Sequence, residues 1–154
     1  MESNLSIIKK TQGSLPQLPI LALKNEILGK NYFLSLAYLN ENTIRDINKK
    51  YRKKNKPTNV LSFPFSKKEG ELVLCPTLIK KESKNEEKNF GKNYAELFLF
   101  LVIHGMLHLK GMSHGSRMSK AEKLYCHKYD TKHFYRNRRR YENDKSRGGR
   151  VRKK

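Results

Sequence analysis

The chain has 154 residues and two cysteines, enough length to bury a core in one domain and too few cysteines for a disulfide framework. Its first ten residues lack the basic and apolar stretches of a secretory signal. Its most apolar run, residues 97–103, is far shorter than the roughly 20 residues that span a membrane. We therefore expect a soluble, cytoplasmic protein with reduced cysteines. The 34 basic and 14 acidic residues give a formal net charge of +20. This charge favours nucleic acid as a partner, with an anionic membrane surface as the second choice. The alternative is that all proteins of the host are rich in lysine.

The first part of the chain predicts a strand, a helix and a second strand. Residues 4–9 are a candidate short strand. The segment between Pro19 and Gly29 favours a helix, because proline is common at a helix start and glycine just past its end. The aromatic and branched residues of 32–39 predict the second strand.

The next segment predicts a helix followed by a third strand. Asn42 or Thr43 is placed to cap a helix that runs to about Arg52, with apolar residues along one face. The branched and aromatic residues of 58–63 then predict a strand, which Pro64 closes.

A fourth strand is predicted at residues 71–75, after a turn at 67–70. Because only a short loop separates it from the third strand, we expect these two strands to pair as a hairpin. Residues 80–93 are polar and carry both signs of charge, which indicates a long loop or a frayed helix.

The last part of the chain predicts a central helix, a final helix and a basic tail. Residues 94–110 are apolar on nearly every side, so we expect a buried central helix that Gly111 ends. A final helix is expected from about residue 119 to 135. Residues 136–154 are rich in lysine and arginine, which indicates a disordered tail that adds nonspecific affinity for nucleic acid. We therefore expect one domain over residues 1–135, followed by this tail.

Three histidines lie close together at the end of the predicted central helix. His104 and His108 are four residues apart, so they lie on one face of a helix, about one turn apart. Gly111 permits the left-handed backbone that ends a helix, and His114 can then turn back toward the other two. Three imidazoles in this arrangement can share one metal ion, and three protein ligands leave a position for water, as in a catalytic zinc site.

The spacing of these histidines matches the metzincin pattern of zinc proteases except at one position. There a glutamate that acts as general base follows the first histidine, whereas this chain has Gly105. A single histidine in an apolar helix is usually a core residue, but three with a glycine at the turn favour a metal site over coincidence. His127 and His133 have no such spacing, and we interpret them as surface or helix-packing residues.

On these residues, the chain resembles the YbeY family of bacterial endoribonucleases and ribosomal RNA maturation factors. The segment HGMLHLKGMSH (104–114) is similar to the family signature HGxLHLxGxDH. The segments NKKYRKKNKPTNVLSFPF (48–65) and GELVLC (70–75) are similar to two further blocks of the family, in the expected order. One departure is Ser113, where the family has an aspartate, and it puts any role of that carboxylate beside the metal in doubt.

The resemblance implies an α+β fold, a mixed sheet of about four strands packed by helices, with the metal ligands on the central buried helix. It implies a metal-dependent, single-strand-specific endoribonuclease that acts in 16S ribosomal RNA 3′-end maturation and ribosome quality control. Ribosomal RNA and the small ribosomal subunit are its implied partners, and one zinc ion per chain is its implied cofactor. His104, His108 and His114 carry over as metal ligands. Arg52 carries over as the family's arginine, and we predict Arg52 and His108 as catalytic residues.

Arg52 is the best candidate for binding phosphate, because its guanidinium is always charged and offers paired donors to two oxygens. The alternative is that the helix macrodipole alone favours a basic residue in the last turn. The basic residues around Arg52 form either one wall of an RNA groove or a solvated loop. The predicted RNA-binding residues are Lys49, Lys50, Arg52, Lys53, Lys54 and Lys56.

Two other functions remain open. A zinc peptidase would use the same histidines, but Gly105 cannot act as its general base. A non-catalytic assembly factor would use the metal for stability and the basic surface to hold ribosomal RNA. The nuclease and the assembly factor need the same ligands and the same charge, so the sequence discriminates poorly between them.

Overall fold

The computed structural model describes residues 4–130, in which the chain forms four strands and five helices. The strands are β1 (Leu5–Lys10), β2 (Phe33–Leu39), β3 (Val60–Ser66) and β4 (Glu69–Leu74). The helices are α1 (Ile20–Ile27), α2 (Glu41–Arg52), α3 (Pro76–Ser83), α4 (Tyr94–Leu109) and α5 (Ser116–Lys128). The predicted tail (136–154) and His133 lie outside the described residues.

The four strands form one mixed sheet in the order β1-β2-β4-β3. β2 is parallel to both of its neighbours, whereas the edge strand β3 is antiparallel to β4. Parallel neighbours need a crossover connection, and α1 lies in the one between β1 and β2. The predicted α+β class, the mixed sheet of about four strands and the hairpin of β3 and β4 are confirmed.

Helices pack on both faces of the sheet, because successive side chains of a strand point to opposite faces. Leu34 and Leu36 of β2 join a large apolar cluster with α1 and α4, whereas Ala37 joins a smaller cluster with Ile44 of α2. Most of α4 is buried, which confirms the predicted central helix. Within residues 4–130, the helices are too short or too polar to cross a membrane.

Two predicted boundaries, the start of α2 and the end of β3, were wrong, for reasons that the contacts explain. Asn40, not Asn42 or Thr43, caps α2, and its Oδ1 accepts a hydrogen bond from the backbone N–H of Thr43 at 2.8 Å. β3 continues through Pro64 to Ser66, because an edge strand tolerates a residue without an N–H. The pairing with β4 shifts in register between Pro64 and Ser66.

The helices after the sheet also differ from the prediction. α3 was missed, although Pro76 stands at its first turn, where proline favours a helix. Residues 80–83 belong to α3, and residues 84–93 form the predicted loop, with turns along it. α5 begins at Ser116, ahead of the predicted start, and ends at Lys128 rather than near residue 135.

Candidate metal centre

The C-terminal end of α4 turns the chain sharply back on itself. Gly111 has a φ of +100°, a left-handed conformation that glycine adopts without strain. Its N–H donates to the His108 carbonyl at 2.9 Å, and the Met112 N–H donates to the Leu107 carbonyl at 3.0 Å, the paired bonds of a Schellman helix end. This turn brings His114 back toward the last turns of the helix, as the sequence predicts.

The ligand nitrogens of His104, His108 and His114 all lie within 4.8 Å of one another. The Nε2 atoms of His104 and His108 are 3.0 Å apart. His104 and His108 are half-buried, whereas His114 is exposed. The three predicted ligands therefore come together in the fold, and the exposed third ring has room to adjust its position.

The outer nitrogens of the two helical rings face fixed acceptors. His108 Nδ1 lies 3.0 Å from the carbonyl oxygen of Met112, and His104 Nδ1 lies 3.4 Å from Oε1 of Glu122 on α5. Each acceptor favours a proton on Nδ1 of the ring that it contacts, so that each Nε2 carries an unprotonated lone pair. These two Nε2 atoms face each other at 3.0 Å. Two lone pairs at that distance repel unless a cation lies between them, and a shared metal ion satisfies this requirement.

The surroundings of His104 favour its neutral form. Burial lowers the pKa of His104 from 6.5, and the neighbouring His108 and His114 lower it further, while Glu122 opposes them. Metal ions bind the neutral imidazole, so a lowered pKa keeps this ligand available at neutral pH.

Zinc fits this set of donors. Tetrahedral Zn²⁺ with bonds of about 2.0–2.1 Å separates its ligand nitrogens by about 3.3 Å, close to the 3.0 Å between the two helical rings. Three imidazoles leave a fourth position open, which is typical of catalytic rather than structural zinc. In the part of the chain that the structure describes, no second cluster of histidine, cysteine or carboxylate groups of this kind occurs.

Gly105 allows α4 to pack directly against the sheet. A Cβ at this position would lie 2.2 Å from Cδ2 of Leu72 on β4 and 3.2 Å from Oγ of Ser62 on β3. The Ser62 hydroxyl also donates a hydrogen bond to the Gly105 carbonyl at 3.1 Å. The position of the peptidase glutamate is therefore filled by strand side chains, which explains in physical terms why this chain has glycine there.

The three histidines line a cleft of about 540 Å³ between the end of α4 and the edge strand β3. Arg52, from the last turn of α2, lines the same cleft, so the structure brings it together with the predicted ligands. The cleft is lined by Arg52, Thr58, Asn59, Val60, Ser62, Pro64, His104, His108, Met112, Ser113 and His114. None of these described lining residues is acidic, so a polyanion meets no repelling carboxylate on its walls.

A second, basic cleft of about 450 Å³ adjoins the first and shares Arg52, Thr58 and Asn59 with it. Lys54 and Lys56 line this second cleft. The buried Asn48 holds the segment in place, since its Nδ2 donates to the Lys56 carbonyl at 2.9 Å. The other predicted RNA-binding lysines are exposed at the end of α2, and they are Lys49, Lys50 and Lys53.

Sequence reasoning missed two features of the site. Glu122 contacts His104 across a sequence separation of 18 residues, and its only signal was that it is the one acidic residue of the basic helix α5. The carbonyl of Met112 holds His108, and a backbone acceptor leaves no trace in the residue type.

Comparison with known proteins gives a consistent match. The family profile described as Endoribonuclease YbeY matches residues 4–131. The chain is 32% identical to Endoribonuclease YbeY of Francisella philomiragia, over 72% of this chain and 78% of that protein. It is 42% identical to Endoribonuclease YbeY of Buchnera aphidicola, over 53% of this chain and 54% of that protein. The match to Endoribonuclease YbeY of Wigglesworthia glossinidia, at 35% identity, spans 62% of that relative's length.

The fold also has a solved counterpart. The solution structure of a protein from Thermotoga maritima is similar to this one with a TM-score of 0.55 and 27% sequence identity, covering 79% of this chain and 86% of that chain. The profile match covers most of the chain and includes every residue of the histidine cleft. This chain belongs to the Endoribonuclease YbeY family.

Proposed function

We propose that this protein is a zinc-dependent, single-strand-specific endoribonuclease that acts in 16S ribosomal RNA 3′-end maturation and ribosome quality control. The observation that carries the proposal is the shared cleft, in which three histidines able to hold a metal lie beside Arg52 and none of the described lining residues is acidic. The names of the family's relatives support the nuclease activity. Ribosomal RNA and the small ribosomal subunit are its proposed partners, and the cytoplasm its location.

The residues of the cleft have separate roles in this proposal. His104, His108 and His114 hold the metal, and Glu122 together with the Met112 carbonyl keeps two of the rings in the tautomer that binds it. A zinc ion supplies Lewis acidity there and makes hydroxide accessible near neutral pH.

Arg52 binds a phosphate of the substrate in the same cleft. Its planar guanidinium donates to two phosphate oxygens at once and orients the phosphorus relative to the histidines. The exposed lysines beyond it attract the strand without reading its bases. His108 is catalytic as a metal ligand, and its Nδ1 contact fixes the ring for that role.

RNA suits this cleft better than a peptide does. A zinc peptidase of the metzincin type needs a glutamate next to its first histidine, and the contacts of Gly105 leave no room for one. A ribonucleotide carries a 2′-hydroxyl beside each phosphate, so its cleavage needs less help from a protein base.

The second candidate function is a non-catalytic ribosomal RNA-binding assembly factor. The +20 charge and the basic cleft beside Arg52 favour it as much as they favour a nuclease. Among the described residues only three side chains are placed to hold the metal, which favours the enzyme, because a purely structural zinc is closed by a fourth protein ligand.

Cleavage of a labelled single-stranded ribosomal RNA fragment tests the proposal. We expect the zinc-loaded protein to cut the single strand, to leave a duplex of the same sequence and casein intact, and to stop when a chelator is added. Restored zinc should restore the cleavage. Tight binding of the single strand without cleavage, with loss of the fold on chelation, would instead establish the assembly factor.

A further inference from the structure

Phe90, in the loop that precedes α4, is an exposed aromatic residue that does not line the histidine cleft. The backbone of Asn89–Lys92 forms a tight turn, in which the Lys92 N–H donates to the Asn89 carbonyl at 2.9 Å. Phe90 is at the tip of this turn and is 75% exposed. Single exposed apolar residues are common on protein surfaces and by themselves indicate nothing.

The backbone of this turn is unusual. Phe90 and Gly91 have φ values of +52° and +72°, and a left-handed conformation is unfavourable for a residue with a Cβ. Asn89 holds the turn through both ends of its amide, since its Oδ1 accepts from the Gly91 N–H at 2.9 Å and its Nδ2 donates to the Ser83 carbonyl at 3.0 Å. The turn thus keeps a bulky ring in solvent at a conformational cost.

Phe90 is connected to the metal centre through a second aromatic ring. Its ring centroid is 6.4 Å from that of the half-buried Phe100 on α4. Phe100 in turn packs against His104, with centroids 5.9 Å apart and planes inclined by 32°. The two phenylalanines therefore form an aromatic surface that begins at a metal ligand and ends in solvent.

A largely apolar groove of about 420 Å³ runs along these rings between α4 and α5. It is lined by Phe90, Lys92, Phe100, Ser119, Glu122, Lys123 and Cys126. Lys92 lies over the Phe100 ring, with its Nζ 5.7 Å from the centroid, and Lys123 is exposed at the rim. The one carboxylate, Glu122, faces His104, so the rim offers two cations beside an aromatic floor.

We propose that this aromatic groove binds an unstacked nucleobase of the single-stranded RNA whose backbone passes the metal centre, with Phe90 and Phe100 stacking on the base and Lys92 and Lys123 binding flanking phosphates. The proposal rests on the RNA substrate proposed above. Aromatic rings flanked by cations are the usual means of binding single strands without sequence preference, whereas the bases of a duplex are already stacked on one another. The groove supplies a physical reason for preferring single strands.

Phe90→Trp provides a direct reporter, because the chain contains no tryptophan. The probe is a 2′-O-methyl RNA strand of roughly ten nucleotides, within the usual range of single-strand site sizes, in which the 2′-hydroxyl is blocked as a nucleophile. We expect this strand to quench the indole fluorescence of zinc-loaded Phe90→Trp and to leave Ile7→Trp, on the far edge strand β1, unchanged. Equal responses of the two variants would overturn the proposal.

Equilibrium binding separates stacking from charge. We expect Phe90→Ala to bind the strand roughly fivefold or more weakly than the wild type, the loss expected for one base–aromatic contact, while Ile7→Ala binds normally. With an abasic strand of the same length, Phe90→Ala and the wild type should bind equally. The same penalty on the abasic strand, or no penalty on the normal one, would contradict base stacking.

Two further outcomes would overturn the groove proposal for different reasons. If the folded, zinc-loaded wild type binds no single strand at all, the RNA function itself fails, and base binding in the groove fails with it. If sedimentation shows a dimer that Phe90→Ala disrupts, the turn contacts a second copy of the chain rather than a base.

Discussion

The two walls of the histidine cleft are built in different ways. The wall formed by α4 belongs to the large apolar cluster, and Gly105 packs against Leu72 and is hydrogen-bonded by Ser62. The wall that carries Arg52 is the exposed end of α2, whose basic side chains extend into solvent. The buried apolar cluster against which α2 packs is smaller than the cluster that contains α4.

The difference matches the roles that we propose for the two walls. Metal ligands must be held within a fraction of an ångström, and this requires packing and outer hydrogen bonds around each ring. Attraction of a phosphate chain acts over a longer range and tolerates mobile side chains. Substitutions in the first wall should therefore change stability or metal affinity, whereas substitutions in the second should change RNA binding alone.

The largest expected effect is on stability, from Gly105→Ala. The added methyl overlaps buried Leu72, so we expect the free energy of unfolding to fall by about 1–3 kcal/mol in urea denaturation. Helix propensity alone predicts the opposite, a gain of up to about 1 kcal/mol. In a Leu72→Ala background the same substitution should cost less, and an equal cost in both backgrounds would contradict the packing explanation.

The next effect is on metal affinity, from Glu122→Gln. Removing the charge that faces His104 Nδ1 should weaken zinc binding roughly tenfold to a hundredfold, measured by competition with a chromophoric chelator. The matched control is Glu86→Gln, which makes the same charge change at an exposed position away from the cleft. Equal zinc affinities of the two variants would show that Glu122 has no part in holding the ligand.

Arg52→Ala should weaken RNA binding alone. We expect affinity for a single strand to fall roughly tenfold, as for loss of one charge-assisted contact, while zinc affinity and the unfolding free energy stay as in the wild type. Arg45→Ala is the matched control, because Arg45 is exposed on the same helix and does not line the histidine cleft. A lower zinc affinity in Arg52→Ala would break the distinction between the two walls.

The smallest expected effect is on stability, from Glu26→Gln, which removes contacts between α1 and the end of α5. Glu26 on α1 accepts hydrogen bonds from Lys128 and Tyr129, and these bonds, the one from Lys128 first, lower the pKa of its carboxyl below 4.5. Glu26→Gln should cost about 0.5–1 kcal/mol at neutral pH, because the carboxylate is partly exposed. The lowered pKa means that this contribution is present above pH 4.5 and is lost as the pH falls. Urea denaturation should therefore show a larger difference between the wild type and Glu26→Gln at about pH 7 than at about pH 3.

The part of the site that the sequence predicted is the part that local geometry determines. The spacing of His104 and His108 follows from the helix period, and Gly111 marks the turn that returns His114. Glu122 and the contact of Gly105 with Leu72 depend on how α5 and β4 pack, and no local pattern encodes that.

The fold was predicted to a similar extent and for the same reason. The strands and the central helix have strong apolar patterns, and the hairpin follows from a short connection. α3 was missed because its polar end merges with a charged segment, so that only Pro76 marked its start. The cap of α2 was misplaced because several neighbouring polar residues could act as the N-cap. Only the hydrogen bond from the Thr43 N–H to Asn40 Oδ1 identifies Asn40 as the cap.

One paired measurement tests the central claim, that the three-histidine cluster holds the metal on which RNA cleavage depends. His108→Ala and His127→Ala are purified alike, and their zinc content and cleavage of a single-stranded ribosomal RNA fragment are compared with the wild type. His127 is exposed on α5 and is not one of the three ligands, so its variant controls for loss of a histidine and for contaminating nuclease. We predict that His127→Ala keeps one zinc per chain and full cleavage, whereas His108→Ala loses both. Equal cleavage by the two variants would contradict the claim.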